Sequence, residues 1–136
     1  MRIFITILLL LLPISKTYAE VVAECFEPRG KVFYPLTNNW EDDGITGGIF
    51  TVTVVNGEWD LIFNDAQSLT SARAEGGLVT PIFIGELRFS IAVVYDGNIE
   101  IYSFDLLEKT FYQSQHKMFA EDRRYHKFGT YKGHCD

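Results

Sequence analysis

The chain has 136 residues, 47% hydrophobic and 15% aromatic, a composition that excludes a disordered or low-complexity polypeptide. Eighteen acids against twelve Lys and Arg give a net charge of −6, which excludes a broadly basic nucleic-acid-binding surface. The length suits one domain.

The N-terminus reads as an export signal. Arg2 supplies a positive start, Ile3 to Leu12 is apolar apart from Thr6, and Pro13 breaks the run. Thr17-Tyr18-Ala19 places small residues at −3 and −1 of a cut after Ala19. The apolar run is roughly a dozen residues, too short for a spanning helix, which needs about 20. The expectation is a signal peptide over residues 1–19 and a single β-rich exported domain over 20–136, not membrane-spanning after cleavage. Losing Arg2 and Lys16 would take the net charge to −8. Residues 20–115 hold five bases and fifteen acids, whereas residues 116–136 hold five bases, three acids and all three histidines.

Along the remaining chain the period-2 signal dominates. Lys31–Leu36 predicts a first strand, marked by Pro35. Asn38 to Gly44 reads as a solvated acidic turn. Taken as a calcium loop from Asn39, it has oxygens at positions 1, 3 and 5 but Phe50 at position 12, where a bidentate Glu is required, so no metal is assigned. Gly48–Val55 and Trp59–Phe63 flank Asn56-Gly57, which predicts a type I′ hairpin. The two-residue turn sets Val54 against Trp59, Val52 against Leu61 and Phe50 against Phe63 on one face, with Thr53 against Asp60 on the other.

Ser68–Ala74 and Leu78–Ile84 predict a weaker hairpin about Gly76-Gly77, with Pro81 marking an edge or a bulge. Leu87–Tyr95 and Asn98–Leu106 about Asp96-Gly97 predict another. Its register pairs Phe89 with Phe104 and Ile91 with Tyr102; the opposite face pairs Ser90 with Ser103 and Arg88 with Asp105. Asp105–Tyr112 is the one candidate for a helical turn. Thr110–Phe119 and Tyr125–Lys132 predict the last strands, joined by the charged turn from Ala120 to Arg124.

The fold class is therefore all-β, an antiparallel meander of 8–9 strands forming a small closed barrel, with a two-sheet sandwich as the alternative. Cys25 and Cys135, the only cysteines, should pair in an oxidising compartment. A bond between the two ends favours the barrel, since closure makes first and last strands neighbours. The absence of an Asn-x-Ser/Thr sequon leans towards a bacterial periplasm rather than a eukaryotic secretory route, so the expected address is the periplasm, with an extracellular one as the alternative.

No motif names a reaction. His116, His126 and His134 lack metal-site or triad spacing, there is no Gly-x-Ser-x-Gly, and neither catalytic residues nor a cofactor are assigned. Tyr112, Ser114 and His116 alternate on one strand face and are candidate pocket-lining residues, with Trp40 as a fourth. Leu36 to Trp40 ahead of a β-meander resembles the opening of lipocalin-type and avidin-type barrels, which implies Trp40 at a pocket floor. Asn38, however, stands where the lipocalin Gly-x-Trp has Gly. Phe128-Gly129-Thr130-Tyr131 does not meet the Ser-Gly-x-x-Tyr pattern of periplasmic lysozyme inhibitors, and no family is assigned. The functional expectation is a binding module for a small molecule or an envelope protein. The alternatives are a pocketless structural or interaction protein and, lastly, a hydrolase without a recognisable motif.

Overall fold

The computed structural model describes residues 18–118 and 123–136. The predicted leader therefore falls almost wholly outside the described residues, as does most of the predicted charged turn; Arg123–Tyr125 forms one 3-10 turn, so the last strand starts after Tyr125. Ten strands follow in chain order: β1 Glu20–Tyr34, β2 Asn39–Gly44, β3 Ile49–Val55, β4 Glu58–Asn64, β5 Leu69–Ser71, β6 Leu78–Ile84, β7 Arg88–Tyr95, β8 Asn98–Asp105, β9 Thr110–Lys117 and β10 Lys127–Cys135. All pair antiparallel in one sheet, so the all-β meander is confirmed with ten strands in place of 8–9.

Both turn-directed hairpins have the expected register. In β3–β4, Val54 faces Trp59, Val52 faces Leu61, Phe50 faces Phe63 and Thr53 faces Asp60. Asn56 and Gly57 take φ of 52° and 81°, the pair of positive values that a type I′ turn requires. In β7–β8, Arg88 Nε lies 2.7 Å from Asp105 and the Ser90 and Ser103 hydroxyls 2.8 Å apart. Here only Gly97 has positive φ, so this turn is not type I′. Its carbonyl accepts the Met118 N–H at 2.7 Å, which ties the turn to the end of β9.

Four local expectations are corrected. β1 begins eleven residues before Lys31, and Pro28 does not end it. Glu27, at φ 45°, and Pro28 form a bulge, so the strand bends and continues. Residues before the bulge pair with β3 and those after it with β2. The acidic stretch from Asn39 is thus a strand, because the second half of β1 offers it an edge. The hairpin about Gly76-Gly77 does not form: β5 pairs with β4, and β6 pairs with β7. Between them Gly77 N–H donates to the Ala72 carbonyl at 2.7 Å, and Ala72 is fully buried, so this segment is a packed corner. Asp105–Tyr112 makes no helix. A tight turn after Asp105, with Lys109 at φ 51°, leads straight into β9.

The closed barrel is also corrected. The strand order is β5-β4-β3-β1-β10-β9-β8-β7-β6, with β2 beside β1, an open half-barrel whose ends are β5 and β6. The two ends of the chain do meet. Cys25 and Cys135 are direct cross-strand partners, disulfide-bonded with Cα atoms 3.9 Å apart, closer than the usual 4.4–6.8 Å. They meet in the middle of the sheet, however, joining two meanders side by side. Neighbouring first and last strands therefore do not imply closure.

Aromatic packing spans the seam that hydrogen bonds leave open. Trp59 of β4 contacts Phe89 of β7 at 5.7 Å between ring centroids, and Phe89 stacks on Phe104 at 4.5 Å. The chain of rings continues through Phe111 and Phe50 to Phe63, back on β4. Around it Val52, Leu61, Ile91 and Val93 are fully buried. The open edges are guarded: β5 has three residues, and β6 carries Pro81 with a register shift after it. Among the described residues no helix is long and apolar enough to cross a membrane.

Candidate functional site

The inner face of the half-barrel changes character along the strands. One cross-strand row reads Phe89–Phe104–Phe111–Gly133. The next reads Ile91–Tyr102–Gln113–Tyr131–Gly30–Asp43, then Val93–Glu100–Gln115–Gly129–Val32–Glu41, and finally Tyr95–Asn98–Lys117–Lys127. Within four rows the interior passes from phenyl rings to amides, carboxylates and ammonium groups. The polar end opens into a pocket of about 510 Å³, within the usual range for small-molecule sites.

Two linked polar clusters shape it. Glu100 is 6% exposed and accepts from Asn98 Nδ2 at 2.9 Å and from Tyr102 Oη at 2.6 Å. Lys117 Nζ stands 3.5 Å away and compensates its charge. In the second cluster Gln115 Nε2 donates to Tyr131 Oη, Tyr131 donates to Asp43 Oδ2 at 2.8 Å, and Lys127 Nζ lies 3.7 Å from the same oxygen. Burial pushes the Tyr102 phenol well above its ordinary value, and the Glu100 charge adds to the effect. Tyr131 is raised by burial first and by its bond to Asp43 second. Tyr95, on the pocket wall, is raised by burial and then by Glu100. These phenols stay protonated, and Tyr102 and Tyr131 serve as donors.

Glycines make the close approaches possible. A Cβ on Gly129 would lie 2.7 Å from Tyr131 Oη and 2.9 Å from Gln115 Nε2, so the second cluster needs a bare backbone there. A Cβ on Gly133 would lie 2.1 Å from the Phe111 ring.

Two amides are left over. Gln113 is 8% exposed and lines the pocket, and its side chain forms no hydrogen bond among the described residues. Asn98 Oδ1 is buried without a partner. Buried polar atoms are normally paired, so Asn98 Oδ1 is an exception, whereas the Gln113 amide faces the open pocket and can take a partner from it. The pocket holds no cluster of metal-ligating side chains among the described residues.

The residues singled out in the sequence lie elsewhere. Tyr112, Ser114 and His116 point to the convex face, opposite to Gln113, Gln115 and Lys117 on the same strand. His116 meets Phe128 edge-on at 5.2 Å, and Lys132 Nζ sits 5.7 Å over the Tyr112 ring. Trp40, 57% exposed, packs on Phe33 at 5.4 Å and with Tyr112 borders a shallow convex-face depression. The pocket residues were recoverable. The Asp96-Gly97 register puts Asn98 and Glu100 on the face of Phe104, and placing Phe111 beside Phe104 would have turned Gln113, Gln115 and Lys117 inward. β9 hides this, because past Phe111 both its faces are polar.

The convex face carries its own pattern. Leu78, Val94, Ile99, His116, Phe128, Phe33 and Trp40 are successive cross-strand partners over seven strands, an apolar and aromatic stripe with Leu78, Ile99 and Trp40 at least half exposed or nearly so. Set against protein-family models, curated proteins and solved structures, the chain matches none of them.

Proposed function

We propose that this chain is an exported binding module that takes a small molecule into the polar end of its half-barrel. The carrying observation is the concave pocket lined by the Gln113 amide, which no side chain or backbone group among the described residues satisfies, beside Glu100, Asn98 and Lys117. Networks that are only structural normally satisfy themselves, whereas a binding site keeps unpaired groups for its ligand. The absence of a recognisable catalytic motif favours capture over turnover. Thermal-shift screening of the disulfide-intact protein against polar metabolites tests the reading. A stabilising compound whose NMR footprint falls on Asn98, Gln113 and Lys117 supports it, and stabilisation with a footprint only on the convex face removes it.

Export fits the apolar leader, the disulfide and a first strand that opens at Glu20, the residue after the expected cut. The periplasm is the proposed address, with an extracellular one as the alternative. N-terminal sequencing of the exported protein should begin at Glu20. A second reading, an interaction protein, is favoured by the convex stripe, since contiguous exposed apolar surface marks contact sites. It predicts that Trp40→Ser weakens capture of an envelope protein while leaving pocket ligands unaffected.

A further inference from the structure

Resting on the pocket reading above, we infer that the ligand is uncharged and hydroxyl-rich, of the chemical class of a mono- or disaccharide.

Two of the pocket's four carboxylates are already matched by lysines inside it. Glu100 has Lys117 at 3.5 Å and two side-chain donors, and Asp43 has Lys127 at 3.7 Å and the Tyr131 hydroxyl. Asp65, on the rim, accepts the backbone N–H groups of Gln67 and Ser68 at 2.8 Å each. Glu75 is exposed, where water screens it. An anion would meet four carboxylates against two lysines, and any ion that reaches Glu100 or Asp43 would have to separate an existing pair. A wholly apolar ligand would strip water from Gln113 and the ion pairs without replacing it.

What the wall leaves unpaired is neutral. The Gln113 amide has a donor side and an acceptor side, and Asn98 Oδ1 is an acceptor. A hydroxyl group both donates and accepts, so adjacent hydroxyls can serve both sides of the Gln113 amide and reach outer lone pairs of the carboxylates without displacing a lysine. Phe63 and Tyr95, both partly exposed, also line the pocket and add aromatic surface. A sugar ring, apolar on its C–H face and polar at its edge, matches a site that sets aromatic faces beside amides. The volume of about 510 Å³ has room for one or two such rings.

The test is titration of ¹⁵N-labelled, disulfide-intact protein with two probe sets. The first is neutral: maltose, cellobiose and N,N′-diacetylchitobiose. The second is charged or apolar: putrescine, citrate and decanoate. The expected result is a saturable shift of the Gln113 and Asn98 side-chain amide signals with at least one neutral sugar. Gln113→Leu should weaken that binding by about tenfold, the worth of one good hydrogen bond. Gln113→Glu, nearly the same shape, loses only the donor side, should weaken binding by a smaller factor and covers the case in which Gln113→Leu does not fold. Shifts with the second set alone would overturn the sugar class and leave the pocket reading standing. No shift of pocket signals with either set would overturn both.

Discussion

Phe111 and Gln113 are alternate residues of β9 and share its inner face, yet they serve opposite ends of the half-barrel. Phe111 is fully buried among Phe50, Phe104 and the space left by Gly133. Gln113, 8% exposed, stands between Tyr102 and Tyr131 with an amide that nothing in the described protein satisfies. A core position is settled by what the fold already contains. A position like Gln113 is stable enough to exist and incomplete enough to bind. One end of the inner face therefore sets stability and the other sets recognition, and substitutions at the two ends should separate in their effects.

The largest effect should come from the apolar end. Removing the disulfide with Cys25→Ala and Cys135→Ala frees a loop spanning 110 residues, worth about 4–5 kcal/mol in the chain-entropy model. Urea melts should show that loss. A loss below about 1 kcal/mol would mean that the core alone holds the central seam of β1 and β10. Phe111→Ala should cost about 3–5 kcal/mol, since it opens a cavity in the ring of aromatics. Gln113→Leu, two residues away, should leave the urea midpoint nearly unchanged. Equal destabilisation by the two would erase the distinction between the ends.

Lys117→Met falls between these. It removes the cation beside Glu100, which is buried and keeps its two donors, and should cost about 1–3 kcal/mol. Pairing it with Glu100→Gln should recover some of that loss, and a double-mutant cycle in urea would measure the coupling. Strict additivity would show that the two side chains do not interact.

The phenols give a pH signature confined to the polar end. Tyr95, Tyr102 and Tyr131 all have folded pKa values above the ordinary value of about 10. The folded state holds these protons more tightly than the unfolded state. The stability this represents is complete below pH of about 10 and is lost progressively as pH rises from there towards the folded values. Melting temperatures taken with tyrosinate absorbance should fall steeply above that point, and Tyr102→Phe should flatten the slope. The smallest effect belongs to Arg88→Ala on the convex face. Arg88 is solvent-exposed and Asp105 half-buried, and Asp105 is held low by the Glu108 backbone N–H before Arg88 contributes. The melting temperature should stay within the scatter of replicate melts.

The chain by itself determined its two best hairpins. Asn56-Gly57 and Asp96-Gly97 are two-residue connections, so register is imposed over a few bonds. The alternating apolar residues then agree with only one placement of each arm. That information is local, and it sufficed even where the turn type at Gly97 was not the expected one. The cysteine pairing was also legible, because two cysteines leave a single intramolecular combination. Tertiary structure decided the rest. β1 has a partner on each edge and changes one of them at the Glu27–Pro28 bulge, which no window of its own sequence specifies. β6 turned from β5 to β7 because β7 offered a longer apolar edge than a three-residue strand could. The inner face of β9 was set by Phe111 meeting Phe104 across the ladder. Side-chain parity in a strand that is polar on both sides is fixed only by its neighbours, and in this protein that parity decides which residues line the pocket.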